Sequence, residues 1–80
     1  ITLTLLGNPT AHSVQLQSPE YQQLRYQLHD LQGRLLLSEN DLPDATTRID
    51  LSQLPAQIYI LSVYTEQRAY PIKNFKIIKQ

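Results

Sequence analysis

The chain has 80 residues and a mass of 9.2 kDa, enough to bury one compact core and not a second. Seven Lys+Arg against seven Asp+Glu give zero net charge, which removes the whole-domain basic field expected of a nucleic-acid binder. With 41% hydrophobic residues the chain is not disordered, its lack of cysteine excludes disulfides, zinc–thiolate sites and a cysteine nucleophile, and no apolar run approaches the length of a membrane span, so no stable membrane insertion is expected.

Short stretches of period-2 alternation, divided by turn residues, predict strands in chain order. Residues 1–6 read as the first, although Leu6 breaks the alternation. Asn8-Pro9-Thr10 closes it, because asparagine starts turns and proline has no N–H for a sheet ladder. Residues 13–17 form the second strand, and Ser18-Pro19-Glu20 separates it from a third over 24–29, where Leu24, Tyr26 and Leu28 share a face. Asp30-Leu31-Gln32-Gly33 fits a type I turn followed by a positive-φ Gly33 that makes a bulge, and Arg34 opens a fourth strand, over 34–38, covered on both faces. A loop of about residues 39–46 leads to a fifth strand at 48–51. Residues 58–64 and 70–79, joined by a turn at 65–68, complete seven. In the last of them Ile72 has the opposite parity to Phe75 and Ile77, which predicts a bulge near Lys73-Asn74.

Seven strands with no helical apolar stripe predict one all-β domain over residues 1–80, a seven-stranded antiparallel sandwich. The inward parities select Leu3, Leu5, Val14, Leu16, Leu24, Tyr26, Leu28, Leu35, Ile49, Leu51, Leu54, Tyr59, Leu61 and Val63 as its core. Charge is uneven along the chain. Residues 73–80 hold Lys73, Lys76 and Lys79 with no acid, a local +3, and the rest has four arginines against seven acids.

Leu54-Pro55-Ala56-Gln57-Ile58-Tyr59 has the spacing of a tyrosine corner, in which a tyrosine hydroxyl bonds backbone a few residues upstream in an immunoglobulin-like sandwich. Four pieces in order carry a wider resemblance. They are Asn8-Pro9-Thr10, then Tyr26-Gln27-Leu28-His29-Asp30-Leu31-Gln32-Gly33-Arg34-Leu35-Leu36, then Ile49 through Leu61, then Lys76-Ile77-Ile78-Lys79-Gln80. Together they resemble the type A C-terminal sorting domain of the Bacteroidota type IX secretion system, over essentially the whole chain. Gln57 stands where the corner usually has glycine.

The resemblance implies a seven-stranded immunoglobulin-like fold and a role as an export address for a cargo protein. It further implies passage through the periplasm, then the cell surface or medium as destination, and no cofactor. The implied partners are the outer-membrane translocon, its shuttle protein and a cell-surface sortase that usually cleaves the domain away. The sortase's catalytic residues lie in the sortase, and the cleavage junction is expected before Ile1. Recognition is expected at Lys76, Ile77, Ile78, Lys79 and Gln80, with Asn8, Pro9, Asp30, Gly33, Arg34, Leu54 and Tyr59 as the structural motif. Physically, a last strand at a sheet edge offers backbone donors and acceptors for strand addition, with lysines to steer encounter and Ile77 or Ile78 to fill a pocket.

The other chemistry-bearing residues have plainer readings. His12 and His29 lack metal-ligand spacing and read as surface histidines, and His12 beside Ser13 does not define a triad, so the chain is not expected to be an enzyme. Asn40, Asp41 and Asp44 lack the spacing of a calcium loop and read as solvated. The alternative function is a carbohydrate-binding or adhesive immunoglobulin-like module using Tyr21, Tyr64 and Tyr70, since Tyr26 and Tyr59 have core parity.

Overall fold

The computed structural model describes residues 3–18, 24–40, 46–65 and 69–80. Among them lie seven strands: β1 (Thr4–Leu6), β2 (Ser13–Gln17), β3 (Leu24–Asp30), β4 (Leu35–Glu39), β5 (Thr46–Asp50), β6 (Ile58–Thr65) and β7 (Lys73–Ile78). Every pairing between them is antiparallel, in two sheets ordered β1-β2-β5 and β4-β3-β6-β7. That is the A-B-E and C′-C-F-G partition of an immunoglobulin-like sandwich. Residues 66–68 of the turn expected at 65–68, together with Asp41, Asp44, Tyr21, Pro19-Glu20 and Ile1, lie outside the described residues.

Alternation decides which face each strand buries. In β3, Leu24, Tyr26, Leu28 and Asp30 are buried, while Arg25, Gln27 and His29 between them are half-exposed. The inner faces of the two sheets meet in a core of Val14, Leu16, Ile49 and Leu51 against Leu28, Tyr59, Leu61, Val63 and Ile77, each 2% exposed or less. Each such aliphatic side chain stabilises the fold by ~1.5–3 kcal/mol relative to exposure. Tyr26 is buried with its hydroxyl 3.3 Å from the Glu39 carboxylate. Burial first, then the Glu39 charge and hydrogen bond, push its phenol up to about 12.

Thirteen of the fourteen expected core positions belong to the buried cluster or pack against it as expected from parity, and Leu54 is among those at its margin. Leu35 is the exception, 53% exposed. The cause is a shift in register: Leu28 pairs with Leu37 but His29 pairs with Leu35, so Leu36 has no partner and the parity of β4 reverses there. Leu37 takes the inward place and Leu35 turns out, so the strand is not covered on both faces. Ile77, absent from that core selection, is completely buried.

The irregularity at the start of β7 falls at Ile72-Lys73 rather than Lys73-Asn74. Val63 pairs with Lys73, yet its carbonyl also accepts from the Ile72 N–H at 2.8 Å. Two successive residues thus oppose one, which is a bulge. From Lys73 to Ile78 the register is unbroken, and it carries Phe75 and Ile77 to the inner face.

Candidate functional site

Two local devices prepare the end of the sandwich where the chain's last residues lie. The first is the β3–β4 turn. The Gly33 N–H donates to the Asp30 carbonyl at 3.0 Å, and Gly33 has φ +86°. The Asp30 carboxylate accepts from the N–H groups of Gln32 (2.9 Å) and Arg34 (3.0 Å) and from Arg34 Nε (2.7 Å). Burial alone raises this carboxyl's pKa, but the Arg34 N–H, guanidinium and charge, with the Gln32 N–H, outweigh it and hold the group below its ordinary value. The second device is the tyrosine corner. Tyr59 is fully buried, and its hydroxyl donates to the Pro55 carbonyl at 2.6 Å, four residues upstream. The Leu54 N–H donates to the Leu51 carbonyl at 2.9 Å in the same corner.

Three stretches distant in sequence converge on the tail. The Asn8 carboxamide donates through Nδ2 to the Lys76 carbonyl at 2.7 Å and accepts through Oδ1 from the Ile78 N–H at 2.9 Å. One side chain so supplies the donor and the acceptor that a neighbouring strand would offer. Thr10 extends the contact: its N–H donates to the Ile78 carbonyl (3.0 Å), and its carbonyl accepts from the Gln80 N–H (2.7 Å). These bonds form a parallel bridge between Thr10 and Lys79. On the other side the Lys79 N–H donates to the Gln57 carbonyl (3.0 Å), and Lys79 Nζ donates to the Leu54 carbonyl (2.9 Å). Thr10 is itself fixed, since its Oγ1 accepts from the N–H groups of His12 and Ser13 and donates to the Ser13 carbonyl at 2.7 Å. The Asn8–Pro9 peptide is cis.

This seam revises the expectation of an open edge. The Lys76 carbonyl and both backbone groups of Ile78 are taken by Asn8 and Thr10, so strand addition cannot use them while the seam is closed. The tail residues also separate by position. Ile77 is inside the core, Lys79 is half-buried, and Lys76, Ile78 and Gln80 are exposed. An Ile77 side chain in the core is not available to a pocket on a partner. The structural motif residues come together around the same end: Asn8 on the tail, Leu54 through its carbonyl on Lys79, and Tyr59 paired with both Asp30 and Ile77.

The tail contact of Asn8 is not read from the sequence, where Asn8-Pro9 is a turn and part of the structural motif. No single-sequence signal pairs a carboxamide with backbone 68 residues away. His12 is exposed and His29 half-buried, in keeping with surface histidines. Among the sugar-platform candidates, Tyr70 is exposed and Tyr64 is half-buried under the Arg25 guanidinium, 4.1 Å from its ring centre.

The family described as the secretion system C-terminal sorting domain matches residues 6–80 of this chain. The chain belongs to that family. It is a type IX C-terminal sorting signal, a domain that works with the type IX secretion machinery and serves export across the outer membrane to the cell surface or the medium. No curated protein matches the chain. In this sorting domain the Asn8-Pro9-Thr10 turn, the Asp30–Arg34 turn, the Tyr59 corner and the Lys76–Gln80 tail are parts of one hydrogen-bonded end of the sandwich.

Proposed function

We propose that this sorting domain is read as a folded address, and that its readable part is the solvent side of the seam, Lys76, Ile78 and Gln80, held in place by Asn8 and Thr10. The supporting observation is the seam itself: Asn8 and Thr10 together make four hydrogen bonds to Lys76, Ile78 and Gln80. A tail ordered before encounter loses less conformational freedom on binding than a loose peptide, so more of the contact energy appears as affinity. Lys76, at the rim, contributes chiefly to encounter rate and its salt dependence, whereas Ile78, with apolar surface to bury, contributes to lifetime.

In this reading the cargo waits in the periplasm, the shuttle protein and outer-membrane translocon engage the domain, and a cell-surface sortase then cuts it from the cargo. The domain is ligand and substrate and performs no catalysis. Deleting residues 76–80 is a poor test, because it removes Ile77 from the core. Point variants separate the two effects. The domain is fused to a periplasmic reporter in a Bacteroidota host, with Lys76→Ala, Ile78→Ala and Asn8→Ala compared against the parent. Each variant is expected to fold in a cooperative melt and to leave more reporter inside the cell. Export of all three at the parent's level would remove the seam from recognition.

A further inference from the structure

The tail is held from two sides, and one of its own residues makes the second hold. Along an extended strand the backbone groups of successive residues turn to opposite edges. Those of Lys76, Ile78 and Gln80 turn to Asn8 and Thr10. Lys79 turns the other way. Its N–H donates to the Gln57 carbonyl at 3.0 Å, which carries the β6–β7 register one place past the Ile58–Ile78 pair. Its side chain spans the same loop, and Nζ donates to the Leu54 carbonyl at 2.9 Å.

The loop that receives Lys79 belongs to the tyrosine corner. The Pro55 carbonyl accepts from the Tyr59 hydroxyl at 2.6 Å, so the carbonyls of Leu54, Pro55 and Gln57 are all taken, the first and last by Lys79. Pro55, Ala56 and Gln57 are exposed, whereas Lys79 is half-buried. Complete burial in the tail stops at Ile77, and Ile78 and Gln80 are exposed. Hydrogen bonds rather than core packing therefore set the path of the chain beyond Ile77. An ammonium on a carbonyl is a charge-assisted bond, stronger than a neutral one, and it offsets the rotamer freedom that a fixed lysine loses.

We propose that Lys79 is a positioning residue of the sorting signal. It clamps the tail to the tyrosine corner, and its cation is engaged by the chain's own backbone instead of being offered to a partner. The inference deepens the folded-address reading and rests on it. It divides the two lysines of the Lys76–Gln80 segment by task, with Lys76 on the readable side and Lys79 as the fastening.

The test combines amide hydrogen exchange of this chain, followed by NMR, with export of the reporter fusion. Lys79→Met keeps the stem and removes the cation, and Lys79→Arg keeps a cationic donor. Ile49→Val, which trims a buried side chain of the other sheet, is the control for a loss of stability alone. Lys79→Met is expected to speed exchange at the Lys79 and Gln80 amides about tenfold or more and to leave more reporter inside the cell. Lys79→Arg is expected to restore both. Ile49→Val is expected to lower the urea midpoint while tail exchange and export stay at the parent's level. Unchanged exchange in Lys79→Met overturns the clamp, and a fall in export beside it would mean that a partner meets the ammonium itself. Faster exchange with parent-level export also overturns the proposal. In that case Asn8→Ala decides the underlying reading, which stands if that variant is still retained and falls if it too is exported like the parent. Loss of export in Ile49→Val equal to that in Lys79→Met would reduce the effect to stability and overturn the positioning role. If Lys79→Met fails to melt cooperatively, the parent decides: Lys79 and Gln80 amides that exchange as fast as those of an unstructured peptide overturn the clamp, and slowed exchange at both upholds it.

Discussion

Ile77 and Ile78 are neighbours in the tail with opposite fates, and truncating each to alanine separates folding from recognition. Ile77 is completely buried and pairs with Tyr59, whereas Ile78 is 40% exposed and pairs with Ile58 on the outer face. Ile→Ala removes three carbons, ~2.4 kcal/mol of transfer energy at ~0.8 per group, and the cavity left at a closed site raises the total to ~3–4 kcal/mol. Against a total on the order of 4–12 kcal/mol for a chain this size, Ile77→Ala is close to the largest loss the fold survives. Ile78→Ala opens no cavity and loses part of a half-wet contact, about 1 kcal/mol or less. The assay is urea unfolding followed by far-ultraviolet circular dichroism. With a slope near ~1 kcal/mol/M, Ile77→Ala should lower the midpoint by ~3 M and Ile78→Ala by no more than about 1 M. Equal midpoints for the two variants, or a loss below about 1 kcal/mol for Ile77→Ala, would refute the assignment of the tail to the core.

Three further outcomes follow from the same end of the sandwich. Tyr59→Phe removes the 2.6 Å bond to Pro55, and because water can reach that exposed corner the cost should sit near ~1–1.5 kcal/mol by denaturant melt; no loss would mean the corner bond is idle. Gly33→Ala meets no atom within 4 Å and is penalised only by φ +86°, whereas at Gly7 a Cβ would also stand 3.2 Å from the Ser13 carbonyl oxygen at φ +92°; Gly7→Ala should therefore destabilise more than the ~1 kcal/mol of Gly33→Ala, and the reverse order in parallel melts would contradict the geometry. The Asp30 carboxyl is held below its ordinary value, so its contribution is full above the unfolded value of ~3.9 and fades as pH falls through the folded one. The stability gap between the parent and Asp30→Asn should accordingly be flat from about pH 7 to 5 and narrow below about pH 4; a gap unchanged in acid would contradict the charged arrangement.

Much of the fold is legible because its signals are local. The alternation of Leu24, Tyr26 and Leu28 sets the inner face of β3, and Asp30 with Gly33 forms its turn, as expected from residue type alone. Tyr59 reaches Pro55 because the corner's spacing encodes that reach. Leu35 is where local reading fails. Three consecutive leucines carry no parity of their own, and the unpaired Leu36 is set by the pairing of β4 with β3. The seam fails for a related reason. Asn8 looks like a turn former, and its bonds to Lys76 and Ile78 arise only once the segment between β1 and β2 is brought against the end of β7. The row of Leu35, His29, Ile60 and Lys76 is likewise invisible along the chain, since only the register of four strands aligns these residues.

The most direct test of the sorting role is the share of a periplasmic reporter, fused to this domain, that reaches the cell exterior in a Bacteroidota host with an intact type IX system and in one lacking the outer-membrane translocon. The account predicts reporter outside the cell only with the intact system, and reporter retained in the translocon-deficient strain. Equal amounts outside in both strains, or retention in both, would contradict it.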